Sequence, residues 1–178
     1  MKPNILVFDV EATSLHGTGF AVGAVVLEKA TGKEVANFLL KSYEGEGMAS
    51  DWVKENVLPS IKNMPAVSQD QMLRDRFWKF YLEHKDTCDI WADVAYPVET
   101  NFLEQLYKDS PTEREFMMPY PLFDVSTHFN VDIDRDKKCG LLGLMKHNPA
   151  DDAKASATIL VQLMHLMNEW NEVVNLKK

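Results

Sequence analysis

The first strand-like segment of the chain, NILVFDVEA, ends in two acidic residues, Asp9 and Glu11, that stand two positions apart. Alternate side chains of a β-strand share one face, so these carboxyl groups point the same way as Ile5 and Val7. Two carboxylates on one partly buried face repel each other unless a cation lies between them. The pair indicates either a strand that emerges into a solvated loop or, as we favour, a divalent-metal site whose oxygen ligands suit Mg²⁺ or Mn²⁺.

A further acid is predicted to come from the last helix. Asn148-Pro149 is a helix start signal, with Asn148 as the N-cap and Pro149 in the first helical position. By helical spacing, Asp152 lies on the apolar face of this helix and is expected to point toward the core. Asp151 lies on the polar face. His147, which precedes the helix, is either an incidental loop histidine or a group that accepts a proton from water at the mouth of an acid cluster.

The middle of the chain offers two candidates for one more acid. Glu99 precedes Phe102 and Leu106 at helical spacing in PVETNFLEQL, so it lies on the buried face of a predicted helix. Asp93 ends the preceding apolar segment, CDIWADV, and can reach the same space, although its simpler interpretation is a turn acid. We favour Glu99, with Asp93 as the alternative.

The elements that must position these residues alternate along the chain. Strand patterns cover residues 5–10, two strands joined by a turn at residues 31–33, residues 88–94 and residues 121–127. Helical patterns cover residues 68–84, 98–108 and 149–174, whereas residues 44–51 are typical of a flexible loop and residues 52–65 of irregular structure. This order predicts an α/β fold with a central mixed sheet of five strands flanked by helices. Sites in such sheets lie at the carboxyl ends of strands, where Asp9, Glu11 and Asp93 fall.

The bulk composition limits the function classes. A chain of 178 residues that is 46% hydrophobic suits one domain over residues 1–178. No leader or membrane span is expected, and the two cysteines lack a metal-binding spacing, so a cytoplasmic protein without membrane partners is the default expectation. The net charge of −8 argues against a broad basic face for long nucleic acids. It still permits an enzyme that holds a few nucleotides through bound cations.

Three segments of the chain resemble the DEDDh 3′–5′ exonucleases, which have the ribonuclease H-like fold: FDVEATSL, PVETNFL and HNPADDA, in that order. The middle segment departs from the family pattern of His-Asn at the strand end and Asp at the helix start, because this chain has Ala92-Asp93 and Glu99 there. The resemblance implies hydrolysis of phosphodiester bonds at the 3′ end of single-stranded DNA or RNA, or of short oligonucleotides, with release of 5′-mononucleotides.

The resemblance also implies roles for individual residues. His147 would be the general base, and two divalent cations, Mg²⁺ or Mn²⁺, would be held by a set of acids. That set is Asp9, Glu11, Asp152 and Glu99, with Asp93 as the alternative to Glu99. Substrate contacts are expected from Ala12, Thr13, Leu15 and Lys146. Lys146 belongs to a basic group in the loop before His147, with Arg135, Lys137 and Lys138, which is equally consistent with a solvated loop.

Two other functions are consistent with parts of the pattern. A haloacid-dehalogenase-like phosphatase would use Asp9 as its nucleophile, but it needs a second acidic motif after a late strand, and Asp151-Asp152 instead open a helix. A catalytically inactive nucleic-acid-binding module would have no reason to keep a costly acid set beside His147. The choice among DNA, RNA and short oligomers stays open at this stage, as does the oligomeric state.

Overall fold

A mixed β-sheet between helical layers forms the centre of the protein. The computed structural model describes residues 2–128 and 135–175, without the side chains of residues 135, 136, 138 and 172–175. The strands are β1 (Asn4–Ala12), β2 (Gly19–Glu28), β3 (Glu34–Ser42), β4 (Ala66–Val67), β5 (Cys88–Ala92) and β6 (Phe123–Asp124). The helices are α1 (Tyr43–Gly47), α2 (Asp51–Asn56), α3 (Asp70–His84), α4 (Thr100–Asp109), α5 (Pro111–Arg114), α6 (Val125–His128), α7 (Arg135–Leu142) and α8 (Pro149–Asn175). A kinked segment, Ala95–Glu99, in which Tyr96 has an extended backbone conformation, leads directly into α4.

The strand order explains the apolar character of the first segment. The sheet has the order β4-β3-β2-β1-β5-β6, so β1 lies in its interior. The first three strands run antiparallel, and β5 lies parallel to β1 on its other side. A central strand is covered on both faces, which requires apolar residues at nearly every position. Because parallel neighbours end at the same edge, the acids that follow β1 and β5 come together there.

Each face of the sheet packs against a different set of helices. On one face, Leu6 and Phe8 of β1 pack with Phe77 of α3 and Phe102 of α4. On the other face, alternate residues of β1, beginning with Ile5 and Val7, pack with Ala157 and Leu160 of α8. Asp9 and Glu11 continue this second series, so the strand periodicity directs both acids toward α8.

A smaller core cluster lies beside β2, where Phe20 packs with Val53, Val57 and Ile61. Residues 44–51 had been expected to form a loop and residues 52–65 irregular structure, but part of this stretch is helical. The two short helices in it, α1 and α2, begin at serine N-caps whose side chains accept hydrogen bonds from backbone N–H groups of the first turn. Helices of five and six residues are too short to show a clear apolar period, and the capping serines were the available signal.

The predicted mixed α/β architecture is confirmed, with differences at the edges of the sheet. The sheet has six strands rather than five, because the two-residue β4 pairs with Lys41 and Ser42 at the end of β3. Residues 121–127 form only the short β6 before α6 begins. The two-residue β4 carries no alternation, so sequence periodicity did not detect it, whereas the strand predicted over residues 121–127 is present but shorter. Among the described helices, none combines the length and hydrophobicity that a membrane span requires.

Candidate active site

Three carboxyl groups converge where β1 ends against the first turn of α8. Asp9 and Glu11 come from β1 and Asp152 from α8, and one ligand oxygen from each lies within 4.8 Å of the others. Asp9 and Asp152 are only 8% and 9% exposed, so water screens their mutual repulsion weakly. The sequence pattern predicted that these three residues would meet, and the structure brings them together.

A glycine in β2 allows α8 to come this close. Gly23 pairs with Asp9 in the register of β1 and β2. A Cβ atom at this position would lie 2.0 Å from the backbone nitrogen of Ala150 and 2.1 Å from the carbonyl carbon of Pro149. Such separations leave no room for any side chain, so the first turn of α8 rests directly on the backbone of β2. Sequence reasoning missed Gly23, although a single glycine inside a strand pattern is a known sign of close backbone approach.

This set of donors fits a divalent cation. Carboxylate oxygens are the hard ligands that Mg²⁺ and Mn²⁺ prefer. Opposite ligands of one Mg²⁺ lie about 4.2 Å apart, so the three oxygens need only small side-chain adjustments to share an ion. A cation would also relieve the repulsion among the buried carboxylates.

Both candidates for the fourth acid line the same cavity as these three residues. The Glu99 carboxyl is 3% exposed and is hydrogen-bonded to Asp9 and to the backbone N–H of Val10. Burial, with a contribution from the negative charge of Asp124, raises the pKa of Glu99 to about 8. Asp93 is fully buried, and its Oδ1 accepts a hydrogen bond from the Ser156 hydroxyl, one turn beyond Asp152 on α8. Glu99 thus contacts the acid cluster, whereas Asp93 fastens the end of β5 to α8.

The connection between β5 and α4 places Glu99. Within this connection, the backbone N–H of Ala95 donates to Asp124 Oδ2 at 2.9 Å. The other oxygen of Asp124 accepts from the Ser126 hydroxyl at 2.6 Å and from the Thr127 N–H at 3.1 Å. These hydrogen bonds outweigh partial burial and hold the pKa of Asp124 below its ordinary value. Asp124 was not singled out from the sequence, although an Asp followed two residues later by Ser is a common turn and capping pattern.

His147 lines the same cavity as the acids. Its backbone has φ = 61°, a left-handed conformation that residues with a side chain seldom adopt. Its ring meets the Trp52 ring edge-on, with 5.8 Å between the centroids and 85° between the planes. Its carbonyl oxygen accepts a hydrogen bond from the Ser60 hydroxyl. The next residue, Asn148, caps α8 as predicted, because its Oδ1 accepts from the Ala150 N–H at 3.1 Å.

Two adjoining cavities surround the acid cluster. The first measures about 240 Å³ and contains the acids together with Lys146, His147 and Tyr96. The second measures about 340 Å³ and is lined mainly by apolar groups, including Ala12, Trp52 and Val53. Leu15 borders both cavities and is 65% exposed. An exposed leucine and an exposed tryptophan beside a polar pocket are suited to contact a flat, partly apolar ring.

The remaining predicted substrate contacts are placed as follows. Thr13 is engaged locally, because its hydroxyl accepts from the Thr18 N–H at 3.1 Å and its carbonyl accepts from the Ser50 N–H at 2.9 Å. It therefore orders the loop that carries Leu15. Lys146 lines the cavity of the acids, whereas Lys137 is exposed on α7, in a stretch that had been expected to be a loop. The side chains of the other two members of the basic group, residues 135 and 138, lie outside the part of the protein that the structure describes.

The fold is the ribonuclease H-like fold of DEDDh-type 3′-exonuclease domains. The protein is similar to the nuclease domain of 3′hExo, a DEDDh family member solved with bound rAMP, at 16% identity and a TM-score of 0.58, with 92% of each chain covered. It is also similar to a full-length 3′-exonuclease, at 15% identity and a TM-score of 0.60 over 92% of this chain and 61% of the other. Cell-death related nuclease 4 matches at 14% identity and a TM-score of 0.56 over 93% of this chain and 64% of the other.

This chain spans less than two thirds of the length of the last two structures. No family model matches the sequence, and no curated protein matches it either. At these identities the likeness establishes the fold, and the chemistry has to be argued from the residues themselves.

Proposed function

We propose that this protein is a metal-dependent 3′–5′ exonuclease, which releases 5′-mononucleotides from the 3′ ends of single-stranded nucleic acid or from short oligonucleotides. The observation that carries the proposal is the meeting of Asp9, Glu11 and Asp152 within 4.8 Å, in the cavity that His147 also lines. The likeness of the fold to 3′-exonuclease domains supports the same function.

In the proposed reaction, Asp9, Glu11 and Asp152 would hold two divalent cations, Mg²⁺ or Mn²⁺, and the fourth acid would have an outer role. Bound cations would supply positive charge for the pentavalent transition state at phosphorus and would lower the pKa of water. His147 accepts the proton of the attacking water, a role supported by its position in the lining of the same cavity. Lys146, which lines the same cavity, contacts a phosphate oxygen.

We assign the fourth acid to Glu99 rather than Asp93. Glu99 touches Asp9 directly, so its charge responds to anything bound at the acid cluster. Asp93 already accepts a hydrogen bond from Ser156, and this bond between β5 and α8 is a structural role. A nearby cation favours the ionised form of a buried carboxyl, so binding at the cluster would lower the raised pKa of Glu99.

The adjoining apolar cavity is proposed to receive the base of the terminal nucleotide. Ala12 forms part of its wall, while Leu15 and Trp52 offer exposed apolar surface on which a base can lie. Stacking of a base on an aromatic side chain stabilises binding by roughly 1–3 kcal/mol and tolerates every base. Thr13 contributes by ordering the loop that carries Leu15.

The test is cleavage of 5′-labelled single-stranded DNA and RNA of matched sequence with Mg²⁺ or Mn²⁺. We expect a ladder that shortens by one nucleotide at a time from the 3′ end. Asp9→Asn, Asp152→Asn or a chelator should lower the rate by a factor of about 10² or more, because each removes charge stabilisation at phosphorus. Asp51→Asn is the matched control, since this acid on α2 is 94% exposed and should not affect cleavage.

Two outcomes would contradict the proposal. Hydrolysis of small phosphate esters without degradation of any oligonucleotide would favour the phosphatase. Binding of oligonucleotides without turnover under any metal condition would favour an inactive binding module.

A further inference from the structure

Helix α2 and the turn after it connect the loop that follows β1 to the loop that carries His147. At the start of this segment, the Ser50 N–H donates to the Thr13 carbonyl at 2.9 Å. At its end, the Ser60 hydroxyl donates to the His147 carbonyl, across 87 positions of sequence. Between these contacts, Val57 is fully buried in the core cluster beside β2. The segment is therefore fixed to the sheet while it reaches the histidine.

The conformation of His147 requires support of this kind. A residue with a side chain pays roughly 1–2 kcal/mol to adopt the left-handed region, and it stays there only when its surroundings hold it. The segment contacts His147 at two points, since Ser60 binds the backbone carbonyl and Trp52 meets the edge of the imidazole ring. Together, the two contacts restrain both the backbone and the side chain of the residue.

Ser60 itself has little freedom. Its backbone N–H donates to the Val57 carbonyl at 3.0 Å, and its hydroxyl also donates to that carbonyl at 2.7 Å, so the one hydroxyl proton is shared between the carbonyls of Val57 and His147. The next residue, Ile61, is fully buried. The hydroxyl is thus presented to His147 from a turn that packing has already ordered, so the hydrogen bond costs little side-chain entropy.

We propose that Ser60 is a positioning residue for His147, whose hydroxyl holds the histidine in the left-handed conformation that directs its imidazole into the cavity of the acids. This inference rests on the proposed function, in which His147 is the general base. Among the described residues that line the two cavities, Ser60 does not occur, so we expect it to affect the reaction through His147.

The first experiment measures kcat and KM of Ser60→Ala on a short 5′-labelled oligonucleotide. We expect kcat to fall about tenfold with KM nearly unchanged, because a misplaced general base weakens only the chemical step. Ser60→Thr keeps the hydroxyl and should recover most of the rate. Thr87→Ala is the control, since it removes a comparable hydroxyl-to-carbonyl bond, 3.2 Å long, at the opposite end of the sheet and should leave kcat unchanged.

A double-mutant cycle separates positioning from general damage. In the His147→Ala background, Ser60→Ala should cause no further loss, because the group through which Ser60 acts is gone. An equal loss in both backgrounds would overturn the inference, as would a normal kcat for Ser60→Ala alone.

A readout that does not depend on activity is the NMR spectrum of the protein with ¹³C-labelled histidine. The chain has five histidines, and the His147→Ala spectrum identifies the signal of interest. Ser60→Ala should move that signal toward the position of an unrestrained histidine and leave the others in place. An unmoved signal would overturn the inference, and this holds even if the wild-type protein proves inactive as a nuclease. If circular dichroism shows that Ser60→Ala does not fold, Ser60→Cys replaces it in both experiments, with the same expected direction.

Discussion

Among single residues, Glu99 occupies an unusual environment beside the acid cluster. A carboxyl group that is 3% exposed and lies against Asp9 loses most of its hydration, which disfavours the charged form. Its pKa is therefore raised to about 8, against an ordinary value of 4.5. The metal-free protein must either keep this group protonated at neutral pH or hold a buried, uncompensated charge. A strongly raised pKa of this kind is typical of residues in functional sites rather than of residues that only stabilise the fold.

Glu99→Gln should have opposite effects on activity and on the stability of the metal-free protein. Activity should fall by a factor of about 10² or more, because the variant cannot ionise beside the cations. Metal-free stability should rise, because the amide never has to ionise. Because the folded protein raises the pKa of Glu99, the protonated carboxyl contributes its full stabilisation only below pH 4.5. That stabilisation is lost as the pH rises toward 8. Urea unfolding in the presence of a chelator should therefore give Glu99→Gln a higher free energy of unfolding than the wild type. The difference should be roughly 1–3 kcal/mol at pH 8 and much less at pH 5.

Asp93→Asn is the matched comparison. It removes a charge from the same cavity but keeps an acceptor for Ser156, so we expect a smaller loss of activity. If only Asp93→Asn abolishes turnover, the assignment of Glu99 is wrong. A stability difference for Glu99→Gln that is the same at pH 5 and pH 8 would contradict the stated origin of its pKa.

At the level of elements, the packing of α8 on β2 decides whether the acids meet. The first turn of this helix lies on the backbone of Gly23, and small residues continue the contact, with Ala153 and Ala157 both fully buried. Small side chains bring helix and sheet backbones close together. The close packing of α8 on β2 brings Asp152 near Asp9. The acid cluster therefore depends on small residues at this contact.

Gly23→Ala tests this dependence. The added Cβ atom would meet backbone atoms at 2.0 to 2.4 Å, and backbone cannot move aside as a side chain can. We expect the start of α8 to shift, with a loss of roughly 1–3 kcal/mol in unfolding free energy and at least a tenfold loss of nuclease activity. Thermal melts and the cleavage assay measure the two effects.

Gly140→Ala serves as the control for this substitution. In the described part of the protein, no atom outside the local helix backbone lies within 4 Å of an added Cβ at this position in α7, so the variant should be as stable as the wild type or slightly more stable. Normal activity in Gly23→Ala would show that Asp152 does not depend on this contact.

For the whole molecule, the net charge of −8 and the small cavities point to a short footprint on the substrate. Cavities of about 240 and 340 Å³ leave room for only a short segment of the proposed substrate. Bound cations would supply positive charge where the acids lie, while the negative net charge of the protein repels distant phosphates. Long strands therefore gain little extra binding. A single domain over residues 1–178 and a cytoplasmic location stay predictions from the sequence.

The expected consequence is distributive action with modest dependence on salt. Initial rates per 3′ end should change little for oligonucleotides longer than about four nucleotides. At constant Mg²⁺, log(kcat/KM) should fall against log[KCl] with a slope of about −1 to −2, as for two or so phosphate contacts. Gel assays of partial digests measure both quantities. Complete degradation of some long strands while others stay intact would contradict this prediction.

The sequence by itself determined the class of fold and the faces on which the main acids lie. Strand alternation put Asp9 and Glu11 on one face, and the cap at Asn148 with the helical period put Asp152 on the inner side of α8. Both inferences concern a side chain's direction within its own element, which local periodicity encodes. The order of strands and helices then predicted a mixed sheet between helices, apart from the two-residue β4 at one edge.

Only the tertiary structure decided which groups touch across elements. It placed Glu99 against Asp9 and Asp93 against Ser156, two acids that the sequence pattern could not separate. It also revealed the contact of Ser60 with His147, which joins residues 87 positions apart. Periodicity specifies the direction of a side chain but carries no information on the distance between elements. That distance depends on how small residues such as Gly23 allow two backbones to approach, and this is settled only when the whole core packs.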